Sequence, residues 1–104
     1  MTRRYLRIRV FSSQPVTEDR FFLTLTSSLQ KFFGEVGLND VDPRMIRFDT
    51  RTSEAVVACQ KGHEDQLHAA LALINRIGSA EVAPLTLQVS GTIKGLKRRS
   101  QQPF

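Results

Sequence analysis

The chain has 104 residues, with 15 basic and 10 acidic side chains and a formal net charge of +5. This length predicts one small domain with one core, and a hydrophobic fraction of 40% argues against wholesale disorder. No apolar run approaches the roughly 20 residues of a membrane span, and the start lacks the apolar stretch of a signal peptide, so we expect a cytoplasmic protein. A single cysteine, Cys59, excludes an intramolecular disulfide.

Positive charge is concentrated at the two ends of the chain. Every acidic residue lies between Glu18 and Glu81. The ends carry only basic charges: Arg3, Arg4, Arg7 and Arg9 at the start, and Lys94, Lys97, Arg98 and Arg99 at the end. Segregated positive charge is typical of proteins that bind polyanions, so nucleic acid is the first candidate partner.

The first half of the sequence predicts a strand followed by a helix. Residues 5–11 alternate between core-type apolar side chains and basic or aromatic ones, which is the period of a half-buried strand. Thr17 is a candidate helix N-cap, and apolar residues then recur at helical spacing as far as Val36. Gly34 and Gly37 are candidate helix stops.

The second half predicts two strands, a helix and a final strand. Residues 45–48 form a short strand, and residues 54–60, which include adjacent valines, form a central one. A second helix is predicted over residues 62–77, with Gly78 as its C-cap. Residues 85–89 alternate as a fourth strand.

This element order predicts an α+β fold: a ferredoxin-like or RRM-like βαββαβ sandwich with a four-stranded antiparallel sheet. The whole chain, residues 1–104, is then one domain, with a body over 5–90 and a basic C-terminal tail, partly a short helix, over 91–104. In this fold the first and last strands are neighbours. The two basic ends would therefore form one surface, while both helices cover the other face of the sheet.

One face of the first strand is basic and aromatic. Tyr5, Arg7, Arg9 and Phe11 would lie on the sheet face that the helices leave uncovered. RNA-recognition domains stack bases on aromatic residues of such a face, but the predicted central strand has no aromatic residue. The alternatives of an RNA-binding face, a solvated face and a partner-covered face stay open on this pattern.

The C-terminal tail is the second candidate site. If residues 92–99 are helical, Ile93 and Leu96 dock on the body while the cations point outward, as phosphate contacts require. The alternative is a disordered solubilising tail. The absence of a balancing acidic residue favours phosphate binding.

Enzymatic and metal sites find little support. Cys59, His63, Glu64 and His68 are close in sequence, but histidines five apart diverge by roughly 140° on a helix and do not match the zinc protease spacing of four. A Cys59–His63 nucleophile would lack an orienting third group. The loop after the first strand, residues 12–17, has no arginine, which excludes an acylphosphatase phosphate cradle. We therefore predict no catalytic residue and no metal site.

Seven segments together resemble a known family. They are residues 4–6 (RYL), 33–35 (FGE), 46–49 (IRFD), 55–57 (AVV), 63–77, 89–94 (VSGTIK) and 96–98 (LKR), of which the last two are the most specific. This pattern resembles the small ferredoxin-like subunit of archaeal and eukaryotic ribonuclease P, the "processing of precursors five" subunit, and looks more archaeal than eukaryotic. The family usually continues into a longer basic helix after the position of Lys94, whereas here Gly95 follows.

The resemblance implies a non-catalytic RNA-binding subunit of ribonuclease P. That complex removes the 5′ leader of precursor transfer RNA, and its catalyst is RNA with bound Mg²⁺, so the protein itself would bind no cofactor. The implied partners are ribonuclease P RNA, precursor tRNA and a TIM-barrel-like protein subunit. The small subunit would also self-associate within a heterotetramer.

Candidate site residues follow from the basic ends and the resemblance together. RNA contacts are predicted at Arg7, Arg9, Gly91, Thr92, Lys94, Lys97, Arg98 and Arg99, where Gly91 permits a tight turn and Thr92 caps the tail helix. Protein-interface contacts are predicted at the apolar members of the open sheet face, Tyr5, Phe11 and Met45.

Two other functions compete with this one. A small-molecule-sensing ferredoxin-like regulatory domain would bind a metabolite between protomers and would not need two acid-free basic ends. A protein-interaction scaffold would bind its partner independently of the basic tail.

Overall fold

The structure, a computed structural model, describes residues 2–95. Within this range it has five strands and two main helical elements. In chain order they are β1 (Arg3–Ser12), α1 (Glu18–Val41), β2 (Arg44–Asp49), β3 (Glu54–Gln60), α2 (Glu64–Ala72), β4 (Arg76–Ile77) and β5 (Ala80–Ser90). The strands form one antiparallel sheet in the order β2-β3-β1-β5-β4. The α+β class is confirmed, and the order of the four longer strands is compatible with the ferredoxin-like prediction.

The sheet has five strands rather than four because the second helix is shorter than predicted. α2 ends at Ala72, and β4 pairs with the start of β5 across a turn at Gly78, whose φ is +62°. The Asn75 carbonyl accepts a hydrogen bond from the Val82 N–H at 3.1 Å, which holds this hairpin on the sheet. Ile77 is buried in the core, so its apolar character fits a helix and a strand equally well.

Helix α1 begins as predicted but continues past both candidate stops. The Thr17 hydroxyl caps it by accepting a hydrogen bond from the Arg20 N–H at 3.3 Å. Gly34, with φ +73° and ψ 179°, interrupts the helix with a kink, and a second segment runs on to Val41. Gly37 is buried in that segment, where an added Cβ would overlap the Phe33 Cβ. Gly37 therefore permits close packing rather than ending the helix.

The core lies between the two helices and one face of the sheet. Leu6, Ile8 and Val10 of β1 are at most 2% exposed and pack under α1 and α2. The Phe21 ring packs against Phe48 of β2 with centroids 5.8 Å apart. A buried hydrogen bond of 2.9 Å from the Ser28 hydroxyl to the Ala70 carbonyl joins the helices.

Bulges interrupt the regular alternation of two strands. The register shifts by one residue at Leu87 in β5 and at Ile46 in β2. Because of the first bulge, the alternating apolar residues of β5 do not share one buried face: Leu85, Leu87 and Val89 are 51%, 37% and 44% exposed. Because of the second, Met45 and Phe48 both pack against the core, and Ile46 is exposed.

Candidate nucleic-acid interface

The sheet face opposite the helices carries the predicted basic and aromatic side chains of β1. Since Leu6, Ile8 and Val10 point into the core, Tyr5, Arg7, Arg9 and Phe11 point the other way. We call this surface the open face. Strand alternation alone was enough to place these four residues correctly.

Arg7 and Arg9 share one carboxylate on the open face. The Arg7 Nη1 lies 3.1 Å from the Glu54 Oε1, and the Arg9 Nη2 lies 2.7 Å from the Glu54 Oε2. Strand register explains the contact, because Glu54 of β3 is directly opposite Arg9 of β1. The N-terminal segment has no acidic residue of its own, but the fold brings Glu54 to it, so the trio of side chains has a net charge of +1.

The two earlier arginines also have acidic partners. Arg3 donates to the Asp42 carboxylate at 2.6 Å, and the Arg4 Nε lies 3.6 Å from a Glu64 carboxylate oxygen. Hydrogen bonds from Arg3 and then Arg44 lower the pKa of Asp42 below its ordinary value. The acidic residues come from the ends of α1 and α2, which the linear charge count places far from β1.

Strand β2 adds two cations that the sequence analysis did not select. Arg44 and Arg47 pair with Ala58 and Val56 of β3, so they lie on the open face in rows with Tyr5 and Arg7. Arg44 contacts Asp42, whereas Arg47 is exposed and has no ion pair among residues 2–95. The bulge at Ile46 sets which β2 residues face outward, so alternation alone would not have found both.

The centre of the open face is tightly covered. Val56 and Ala58 of β3 are 3% and 0% exposed although they point away from the helices. The Arg7 side chain, directly opposite Val56, is itself 14% exposed. The small side chains of β3 therefore form a floor on which arginine side chains lie, and no described residue of β3 offers an aromatic ring for base stacking.

The chain turns back toward the open face after β5. The Thr92 hydroxyl accepts a hydrogen bond from the Gly95 N–H at 2.9 Å, which is the contact that a helix N-cap makes. The predicted tail helix lies mostly outside the described residues and stays a prediction. The Gln88 amide donates to the Gly95 carbonyl at 3.5 Å, and an added Cβ on Gly95 would crowd the Ser90 hydroxyl. Gly91, Thr92 and Lys94 are exposed here. The other predicted tail contacts, Lys97, Arg98 and Arg99, lie outside the described residues.

The predicted interface residues separate onto two faces. Tyr5 and Phe11 lie on the open face, where Phe11 is 52% exposed and Tyr5 is half-buried. Met45 is different: it pairs with Val57, a core residue, and packs against the core under the helices. The placement of Met45 on the open face is therefore wrong, because the bulge in β2 reverses its direction. The interface roles of the three residues stay predictions.

The residues considered for enzyme or metal chemistry do not form a site. Cys59 is fully buried, and burial together with the nearby charge of Glu64 raises the pKa of its thiol to about 11. The His68 Nδ1 lies 3.2 Å from the Thr86 hydroxyl, away from Cys59 in the fold. Among residues 2–95 no group of three or more His, Cys, Asp or Glu side chains could hold a metal ion. The helices in that range also lack the combination of length and hydrophobicity that a transmembrane span requires.

The fold and this surface define a small α+β protein with an arginine-lined sheet face. Comparison with known families identifies the group within that class: residues 4–101 match the Rpp14/Pop5 family, and the chain belongs to it. It is similar to ribonuclease P protein component 2 of Pyrococcus horikoshii, with 33% identity over 92% of this chain and 80% of the relative.

A further relative agrees with that assignment, and a solved structure has a similar fold. The chain is 33% identical to ribonuclease P protein component 2 of Archaeoglobus fulgidus over 93% of this chain and 86% of the relative. Its fold is similar to that of a chain in the cryo-EM structure of yeast ribonuclease MRP, with a TM-score of 0.71 and 12% identity over 96% of this chain and 92% of the other. The resemblance read from the sequence motifs is therefore confirmed at the level of the family.

Proposed function

We propose that this chain is an RNA-binding protein subunit of ribonuclease P, which assists the catalytic RNA in removing the 5′ leader of precursor tRNA. Membership of the Rpp14/Pop5 family carries the proposal, because the archaeal relatives quoted above are named ribonuclease P protein component 2. These comparisons favour this function over the small-molecule-sensing alternative.

The arginine-lined open face supports the RNA-binding part of the proposal. Phosphate contacts fix the register of a bound nucleic acid, and arginine is well suited to them because its planar guanidinium can donate two parallel hydrogen bonds. Arg7 and Arg9 would contact phosphates at the centre of the face. Lys94 would do so at its edge, where the turn at Thr92 brings residues 92–95 alongside β5.

The chemistry of the reaction would belong to the RNA. Hydrolysis of a phosphodiester needs an activated water and stabilisation of the developing negative charge, which Mg²⁺ bound by the partner RNA would supply. The proposal therefore assigns no catalytic role to a side chain of this protein. We expect no cofactor bound by the protein itself.

The proposal also includes two protein contacts, one with another ribonuclease P subunit and one with a second copy of this chain. We expect a TIM-barrel-like ribonuclease P subunit to bind this chain, and two copies of the chain to self-associate within a heterotetramer in the cytoplasm. Phe11 and Tyr5 are exposed or half-exposed apolar residues on the open face, which makes them candidates for such contacts. RNA phosphates and a protein partner would then use neighbouring parts of one face.

An omission assay tests the function directly. Ribonuclease P RNA and the remaining protein subunits of the same organism are assembled with and without this chain, and 5′ leader cleavage of precursor tRNA is followed at moderate Mg²⁺. We expect cleavage to fall without the chain and to return when it is added back. Equal cleavage in both assemblies would refute the proposal.

A further inference from the structure

The open face already holds one anion, the Glu54 carboxylate. Its two oxygens are divided between two cations, with Oε1 at 3.1 Å from the Arg7 Nη1 and Oε2 at 2.7 Å from the Arg9 Nη2. The Arg7 side chain is 14% exposed and the Arg9 side chain 44% exposed. The carboxylate therefore lies at the boundary between a nearly buried guanidinium and a half-exposed one, where a ligand from solvent can reach it.

The arrangement around Glu54 matches what a backbone phosphate needs. A phosphodiester carries one negative charge shared by two non-bridging oxygens, as a carboxylate does, and it forms the same charge-assisted hydrogen bonds with guanidinium groups. We infer that Arg7 and Arg9 form a binding site for one RNA phosphodiester, which Glu54 occupies in the free protein and leaves when RNA binds. This inference rests on the proposed function. It adds that a carboxylate of the protein itself competes with RNA for the two arginines.

The present pairing leaves hydrogen-bonding capacity unused beside Arg7. The Arg7 Nε is buried and has no acceptor, and the Oε1 of Gln88, which faces Arg7 from β5, is buried without a donor. Buried polar atoms without partners cost free energy. Glu54 thus does not satisfy Arg7 completely, so pairing this guanidinium with another anion does not break a complete set of hydrogen bonds.

The displaced carboxylate has space to move into. A depression of about 200 Å³ lies beside Glu54 on the open face and is lined by Arg47, Asp49, Thr52, Glu54 and Val56. Arg47 is diagonal to Glu54 across the β2–β3 pair, within reach of a long side chain, and has no ion pair among residues 2–95. Glu54 can therefore exchange Arg7 and Arg9 for Arg47 without leaving a carboxylate unpaired.

Removing the competitor should strengthen RNA binding. Glu54→Gln keeps the side-chain shape and deletes the charge. In the natural chain the phosphate contact replaces the internal pairing with Glu54, whereas in the variant it is gained without that loss. One net ion pair changes log K by about 0.9 per log unit of salt, which corresponds to about an eightfold gain in affinity at about 0.1 M salt. Glu35→Gln is the matched control because it makes the same chemical change at an exposed site on α1.

The experiment measures binding of both variants and the natural chain to a labelled ribonuclease P RNA transcript over a salt titration, after thermal melts confirm that each is folded. We expect the stated gain for Glu54→Gln and less than a twofold change for Glu35→Gln. Equal effects of the two substitutions, with normal binding by the natural chain, would overturn the inference and leave the proposed function intact. No RNA binding by any of the three would overturn both.

A second comparison tests whether Glu54 acts through the two arginines. In an Arg7→Gln/Arg9→Gln background, adding Glu54→Gln should no longer raise RNA affinity, because the site it blocks is gone. A gain that persists in this background would show that Glu54 repels RNA from elsewhere on the surface, and the two-arginine site would be refuted.

Discussion

Replacing Gly34 by alanine should destabilise the protein through backbone conformation alone. Gly34 combines φ +73° with ψ 179°, a region that residues with a Cβ rarely adopt. An added Cβ would meet no atom within 4 Å, so crowding plays no part. The kink matters for the open face, because the segment after Gly34 ends at Asp42, which binds Arg3 and Arg44.

The size of the effect follows from two opposing contributions. Holding a non-glycine residue in this region costs about 1–3 kcal/mol. Alanine also restricts the unfolded chain, which stabilises the fold by about 0.4–1 kcal/mol. We expect the free energy of unfolding to fall by about 1–2 kcal/mol, which corresponds to a Tm lower by about 5–10 °C in a domain of this size.

Chemical denaturation measures this change, with Asn39→Ala as a control at an exposed position in the same helix. The control should be neutral or slightly stabilising. A chain made by ligation with D-alanine at position 34 should be at least as stable as the natural one, since a D-residue favours positive φ. If L-alanine were tolerated as well as D-alanine, the assigned conformation of Gly34 would be refuted.

Three further outcomes follow from the described contacts. The two arginine partners of Asp42 lower its pKa, so the stability that they add is present above the unfolded-state pKa of 3.8 and is lost as the pH falls below it. Asp42→Asn should therefore flatten the acid-induced loss of stability between about pH 5 and pH 2. An unchanged acid profile would contradict this. The thiol of Cys59, buried and with a pKa of about 11, should react with Ellman's reagent only as fast as the protein unfolds. Fast labelling of the folded chain would refute its burial. Ser28→Ala should lower the free energy of unfolding by about 1 kcal/mol, because it removes the hydrogen bond between the helices, while Ser27→Ala on the exposed side should not; equal denaturation midpoints would argue against that bond.

The sequence was most informative where one strong pattern determined the structure. Alternation in β1 and the apolar run in β3 predicted both strands and the direction of Arg7 and Arg9. The glycines at 37 and 78 were wrong as predicted helix ends, because the sequence does not show what each glycine contacts in the fold. Gly37 is small because Phe33 packs against it, and Gly78 belongs to a hairpin rather than a helix end. Only the tertiary neighbours distinguish these uses.

The sequence predicted where Arg7 and Arg9 lie on the sheet, but it did not predict that an acidic side chain offsets part of their charge. Counting charges along the chain treated Arg7 and Arg9 as unbalanced, since the nearest acidic residue in sequence is Glu18. Register places Glu54 opposite Arg9, although they are 45 residues apart. A one-residue change in pairing would remove that contact, so the balance of charge on the open face depends on register, which composition does not contain.

The two bulges also decide how this protein can associate with others. β2 forms one edge of the sheet. The other edge is formed by β5, except at its first two residues, which pair with the short strand β4. Ile46 and Leu87 interrupt the register of these strands, and Pro84 lacks an N–H to donate to a neighbouring strand. Neither edge presents a long regular row of free backbone groups, so added strands and edge-to-edge aggregation are disfavoured. Assembly is thus directed to side-chain contacts on the faces of the molecule, where charge and shape select the partner.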